Sequence, residues 1–228
     1  MSAAGRDAIW STSKLCAFDQ RVTGVPLPCV SVDLTRGFAV MNPGPNHLLL
    51  VPTARVQGIE SRQLLDVDAP NYFEYAWESR GYLDKELRVS LTREEVGLAI
   101  NSAQGRTQDQ LHIHVGCLRP DVRFALQVYE ANTNENWSRL PFYFSGHPFR
   151  IMRVYGDTLA ATNPFLLVAE GIPGAHADMA SQTIVVAGAR FRDGRNGFYI
   201  FADHTRPKDP ATGERLLDYT CSILFSDR

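Results

Sequence analysis

Two histidines separated by one residue, His112 and His114, lie in the run Gln110-Leu111-His112-Ile113-His114-Val115-Gly116-Cys117. Polar and apolar residues alternate along it, as in a strand with one buried face and one chemical face. Such a strand puts both imidazoles on the same side, about 6.5–7 Å apart at the backbone. Three readings fit the pair. Two partly buried histidines satisfied by polar neighbours carry no chemistry. A zinc site takes a third ligand from elsewhere, and His47 and His147 are the candidates for it. A nucleophilic site has one imidazole attack while its neighbours orient it.

The flanking residues discriminate. Asn101 and Gly105-Arg106-Thr107 occupy a polar loop that runs straight into the strand. Their amide, backbone N–H groups, guanidinium and hydroxyl suit the oxygens of a phosphate. Zinc would call for carboxylates or thiolates close by. Only Asp109 is near, and alternation points it away from the histidine face. The pattern reads as phosphate chemistry with no dedicated metal and no other cofactor. Arg55, which follows a strand, and His147, in a Gly-His-Pro loop, are further candidates for substrate binding. Their bland alternatives are a solvated charge and a conformational loop.

These residues carry a resemblance. Gly105-Arg106-Thr107-x-x-Gln110-Leu111-His112-Ile113-His114-Val115 resembles the signature of the histidine-triad (HIT) superfamily, with Gln110 at the place of the first histidine. Gly97 to Ser102, Cys117 to Arg123, Pro52 to Ser61, Gly146-His147, Arg153-Val154 and the four cysteine positions resemble the CDP-diacylglycerol pyrophosphatase family. The likeness spans roughly residues 15 to 225. It implies hydrolysis of CDP-diacylglycerol to CMP and phosphatidate through a covalent nucleotidyl-histidine. The middle position of the triad is the nucleophile, which maps to His112. His114, Gln110, Asn101, Arg106 and Thr107 would orient it or bind phosphate, and a glutamine can both donate and accept hydrogen bonds there. The family implies a periplasmic or inner-membrane-associated protein, whereas the chain itself shows no signal or anchor and leaves the cytoplasm open. A hydrolase or transferase acting on a water-soluble nucleotide anhydride, an idle nucleotide-binding module and a zinc hydrolase stand as alternatives.

The elements that must hold this strand are partly legible. Phe38–Met41 and His47–Val51 read as strands joined by the turn Asn42-Pro43-Gly44-Pro45-Asn46. A helix is expected after Asp68-Ala69-Pro70-Asn71, with Phe73, Ala76, Trp77, Leu83 and Leu87 as its apolar positions. Val96–Ile100 is a short apolar strand, and Gln108–Leu118 is the chemical strand. Pro120 opens a helix carrying Val122, Ala125, Leu126 and Tyr129, and Asn163-Pro164 caps another. Residues 183–191 and 198–202 form a hairpin. Trp137–Phe149 has no period and reads either as an aromatic mini-core or as a lipid-facing flap. Residues 1–15 read as a weakly structured lead-in.

Helices mixed with antiparallel hairpins make this an α+β protein. The resemblance implies a HIT-like antiparallel sheet in one domain, with a catalytic half over 30–135 and a degenerate second half over 150–228. Such a chain would work as a monomer. At 228 residues the chain is long enough for a substantial core. A net charge of -2 shows no basic excess for nucleic acid, so anionic ligands depend on local arginines. Arg106, Arg119 and Arg123 flank the histidines. The expected partners are therefore CDP-diacylglycerol or a related nucleotide anhydride, and a membrane surface reached through that substrate. Four cysteines admit two disulfides in three pairings, or four buried thiols. Cys16 and Cys29 bracket a Pro-containing loop that a bridge would staple, and Cys117–Cys221 would tie the C-terminus to the chemical strand.

Overall fold

The computed structural model describes residues 3–225. Among them ten strands form one antiparallel sheet: β1 (Ser31–Asp33), β2 (Phe38–Gly44), β3 (His47–Pro52), β4 (Val96–Ile100), β5 (Ile113–Leu118), β6 (Ser138–Arg139), β7 (Arg150–Tyr155), β8 (Gln182–Arg190), β9 (Asn196–His204) and β10 (Leu217–Asp218). Their order is β1-β2-β3-β5-β4-β8-β9-β7-β6, with β10 paired to the end of β5. The helices are α1 (Ala3–Arg6), α2 (Ala8–Thr23), α3 (Tyr72–Leu87), α4 (Pro120–Tyr129) and α5 (Pro164–Gly171). This is the α+β sheet that the sequence implies. No described helix is long and apolar enough to cross a membrane.

The connectivity follows one pattern twice. Hairpin β2-β3, helix α3 and hairpin β4-β5 give the order 2-3-5-4; hairpin β6-β7, helix α5 and hairpin β8-β9 give 6-7-9-8. The two sets meet at the β4–β8 ladder, where Leu98 pairs with Val186 and Ala99 with Val185.

Alternation sorts the strand residues onto two faces. Leu98, Ile100, Ile113, Val115, Val186 and Ile200 join Phe73 and Trp77 of α3 and Phe165 of α5 in the largest core. The intervening Ala99, Val185, Ala187, Tyr199 and Phe201 join Val122 and Leu126 of α4 and Leu216 and Ile223 of the C-terminal segment. On that second face α2 covers Ala39, Met41, Leu49 and Val51 of β2 and β3. His114 pairs with Leu49 on one side and Ala99 on the other. It therefore stands between the part of the face that α2 covers and the part that the C-terminal segment covers.

Local signals place most elements as expected. The Asn71 side chain accepts from Glu74 N at the start of α3, and Asn163 accepts from Phe165 N ahead of Pro164 at the start of α5. Both disulfides form as anticipated, Cys16–Cys29 and Cys117–Cys221. Two expectations need correction, and one open alternative is decided. The lead-in is helical from Ala3 to Arg6 and from Ala8, held by tertiary contacts that no local pattern reveals: Arg6 forks Asp109 at 2.7 and 2.8 Å, and Asp7 accepts from Arg55 at 2.6 Å. The chemical strand begins at Ile113 rather than Gln108, because the backbone of Leu111 bonds to Val56 O outside the ladder. In Trp137–Phe149, Leu140, Phe144 and Phe149 are buried, and both phenylalanine rings contact Phe201 edge-on. That stretch is a mini-core from which Tyr143 projects, not a flap.

Candidate active site

His112 is only 6% exposed, and its ring centroid lies 5.1 Å from that of His114. Its Nδ1 is 2.7 Å from the backbone oxygen of Gln110. A carbonyl oxygen only accepts, so Nδ1 must carry the proton and Nε2 the lone pair. Burial lowers the pKa of His112, its bond to the Gln110 carbonyl opposes this, and the Arg106 charge adds to the lowering. The imidazole is therefore neutral, in one tautomer, with one free basic nitrogen.

His114 is held in the opposite sense. Its Nδ1 lies 3.0 Å from His47 Nε2 and 3.2 Å from the Tyr219 hydroxyl. Burial pushes the Tyr219 phenol well up, so it keeps its proton and can donate to Nδ1. Burial first, then His112 and His47, holds His114 well below the usual imidazole range. Its Nε2 is buried and lacks an aligned hydrogen-bond partner, although Glu214 Oε2 is 3.1 Å away. His47, pushed down to about 4 mainly by burial, stacks on Tyr219 at 3.9 Å. That ring reaches the strand because position 116 is glycine: a Cβ there would meet Tyr219 Cε1 at 3.0 Å.

The remaining expected residues divide. Gln110 is fully buried, and its amide serves backbone: Nε2 donates to Pro52 O and Ala54 O at 3.0 and 2.8 Å, and Oε1 accepts from Val56 N at 3.3 Å. It braces the chain leaving β3, and its own carbonyl fixes His112. Asn101 is buried and accepts from Glu214 N at 3.3 Å. Arg106 does not extend a free fork toward the histidines. Its fork is on Glu60 at 2.6 and 2.7 Å, and Asp109 Oδ1 takes two longer bonds. The loop needs that pairing because the guanidinium is buried. Thr107 is exposed. Arg55 is spent on Asp7 and the Trp10 ring.

His147 lies outside the His47–His112–His114 group. Arg215 Nη1 donates to its Nε2 at 2.6 Å, so its Nδ1 carries a proton and donates to Asp203 at 3.0 Å. Among the described residues no group of three His, Cys, Asp or Glu is arranged to hold a metal ion. His47, a candidate zinc ligand by sequence, turns its Nε2 to His114 instead.

Glu214 and Tyr219 escaped sequence reasoning. They come from a C-terminal segment about a hundred residues downstream, with no motif around them. The one available signal was Gly116, a bare position continuing the histidine face.

A family model described as CDP-diacylglycerol pyrophosphatase matches residues 4–225 of this chain. The CDP-diacylglycerol pyrophosphatase of Yersinia pestis is 36% identical over 223 residues, which cover 96% of this chain and 85% of that protein.

Proposed function

The chain belongs to the CDP-diacylglycerol pyrophosphatase family, and we propose that it hydrolyses CDP-diacylglycerol to CMP and phosphatidate through a nucleotide carried on His112. Membership makes it a hydrolase acting on acid anhydrides. The observation that carries the covalent reading is the Nδ1 bond of His112 to the Gln110 carbonyl, which leaves Nε2 unprotonated on a neutral, buried ring. Nε2 attacks the phosphorus on the cytidine side, the bond from that phosphorus to the bridging oxygen breaks, and phosphatidate leaves. Water then displaces Nε2 from the phosphorus and releases CMP.

With Nδ1 accepting from Tyr219, the His114 proton sits on Nε2. This buried, unaligned donor suits a non-bridging phosphate oxygen and the charge that develops there. Gln110 and Asn101 act by positioning. Thr107, exposed on the loop, is free to meet substrate, whereas Arg106 contributes field and loop geometry.

Hydrolysis in ¹⁸O-water tests the route. Label is expected in the phosphate of CMP and not in phosphatidate, with the two products formed one to one. Label confined to phosphatidate, or release of CDP and diacylglycerol, would sink it.

Two disulfides suit an oxidising compartment, and we place the protein in the periplasm, meeting its lipid at the membrane surface. The repeated connectivity supports reading the second half as a copy without the histidines, standing where another subunit would. Light scattering should then give the 25.4 kDa of one chain; a dimer mass would count against that reading.

A further inference from the structure

The C-terminal segment brings one carboxylate to the histidine face. Glu214 lies in a short 3-10 turn, Gly213–Leu216, that packs tightly on the sheet. A Cβ at Gly213 would lie 2.7 Å from Val185 Cγ2 and 2.8 Å from Thr183 Oγ1, so the turn rests directly on β8. Asn101 holds the Glu214 N–H, and Oε2 stands 3.1 Å from His114 Nε2. The adjacent cation turns away: Arg215 donates to His147. Burial raises the Glu214 carboxyl pKa, opposed by Asn101 and, more weakly, by Arg215.

The second step of the proposed reaction needs a base, and the histidines cannot supply one. Once His112 carries the nucleotide, its Nε2 is bonded to phosphorus and its Nδ1 still donates to the Gln110 carbonyl. His114 presents a proton at Nε2, and His47, whose Nε2 faces His114, is pushed down to about 4 mainly by burial and is a weak base. Tyr219 retains its phenolic proton. The phosphatidate oxygen, a weak base, departs in the first step with little need of an acid. What remains on this face is the carboxylate of Glu214.

We propose that Glu214 is the general base of the second step, accepting a proton from the water that attacks the phosphorus of nucleotidyl-His112. This rests on the covalent reading above. The water oxygen bonds to phosphorus, the P–Nε2 bond breaks with its electron pair returning to the ring, and the proton passes to Glu214. It leaves to solvent as CMP departs. Asn101, which accepts from the Glu214 N–H, holds the turn that carries the carboxylate.

Rapid quench with CDP-diacylglycerol labelled in the cytidine-side phosphate, in mixed micelles, tests this. Glu214→Gln should release about one equivalent of phosphatidate per enzyme in a burst and then release CMP roughly 10²–10⁴-fold more slowly, the usual range for loss of general base catalysis. Acid-labile label should accumulate on the protein. Formate should partly restore CMP release in Glu214→Ala, which a purely structural role would not allow. If Glu214→Gln slows burst and CMP release equally, with labelled wild-type protein but no extra label in the variant, Glu214 is not the base. If neither wild type nor variant ever carries label, the covalent reading itself fails and this assignment falls with it.

Discussion

His112→Ala should lower kcat/KM for CDP-diacylglycerol by roughly 10⁴–10⁶-fold, the scale on which enzymes lose activity when a covalent nucleophile is removed. That is about 5.5–8 kcal/mol of transition-state stabilisation. The fold should survive. His112 lies just before the ladder of β5, its one bond is to the carbonyl two residues back, and its ring stands on the chemical face rather than in the main apolar core. Gln110→Ala should behave in the opposite way. Removing that amide strips partners from the buried Pro52 O and Val56 N, each left unpaired at about 1–3 kcal/mol, and from Ala54 O, which is exposed and can turn to water. Its first effect is then a lower melting temperature, with activity lost more mildly as the His112 carbonyl anchor shifts. The wild-type pH profile adds a sign. Attack needs neutral His112, and its pKa is lowered, so the acid limb should fall below the usual imidazole range. A His112→Ala protein within about tenfold of wild type, or an acid limb above that range, would contradict the assignment.

What the sequence made legible was local. Alternation through His112 and His114 placed both rings on one face, and capping chemistry at Asn71 and Asn163-Pro164 placed two helix starts. Bracketing by Cys16 and Cys29 anticipated a bridge. Hidden from view was whatever depends on where distant segments land. Residue type alone makes Arg106 a phosphate fork, but Glu60, 46 positions earlier in the chain, takes the fork first. Nothing near residues 1–15 announces a helix, because Asp109 and Arg55 supply its anchors from elsewhere. His47 was visible as a histidine, and its role was not: register opposite Gly116 sets it on His114 and Tyr219 rather than in a metal shell. Phe142 and Phe144 share an irregular stretch, yet Phe144 is buried against Phe201 and Phe142 only half so. Side chains with the same composition and spacing are separated by what the sheet puts beneath them.

Removing the Cys117–Cys221 bridge should damage stability and catalysis together. The bridge closes a sequence separation of 104 residues, and a loop of that size is worth about 4.7 kcal/mol in the chain-entropy account. Cys16–Cys29, with a separation of 13, is worth about 3 kcal/mol. For a domain of this size each kcal/mol moves the melting temperature by about 2–4 °C, so Cys117→Ala/Cys221→Ala should melt roughly 10–20 °C lower. Catalysis suffers because of what the bridge holds. Two ladder pairs, Leu217 with Leu118 and Asp218 with Cys117, stitch the C-terminal segment to β5, next to the bond from Arg119 N to Leu216 O. That segment carries Glu214 onto His114 and Tyr219 onto His47. With the covalent tie gone, the segment frays more readily, and local opening removes both groups at once. Turnover should fall at temperatures where the fold is still intact. Burst formation on His112 should suffer less than CMP release, because the nucleophile and its Gln110 anchor lie on the strand itself. Cys16→Ala/Cys29→Ala serves as the control: it loosens α2, which carries none of the reacting groups, so it should lower the melting temperature less and leave turnover of the folded protein near wild type. Equal stability losses in the two variants, with turnover untouched in both, would show that the C-terminal segment holds its place without the bridge.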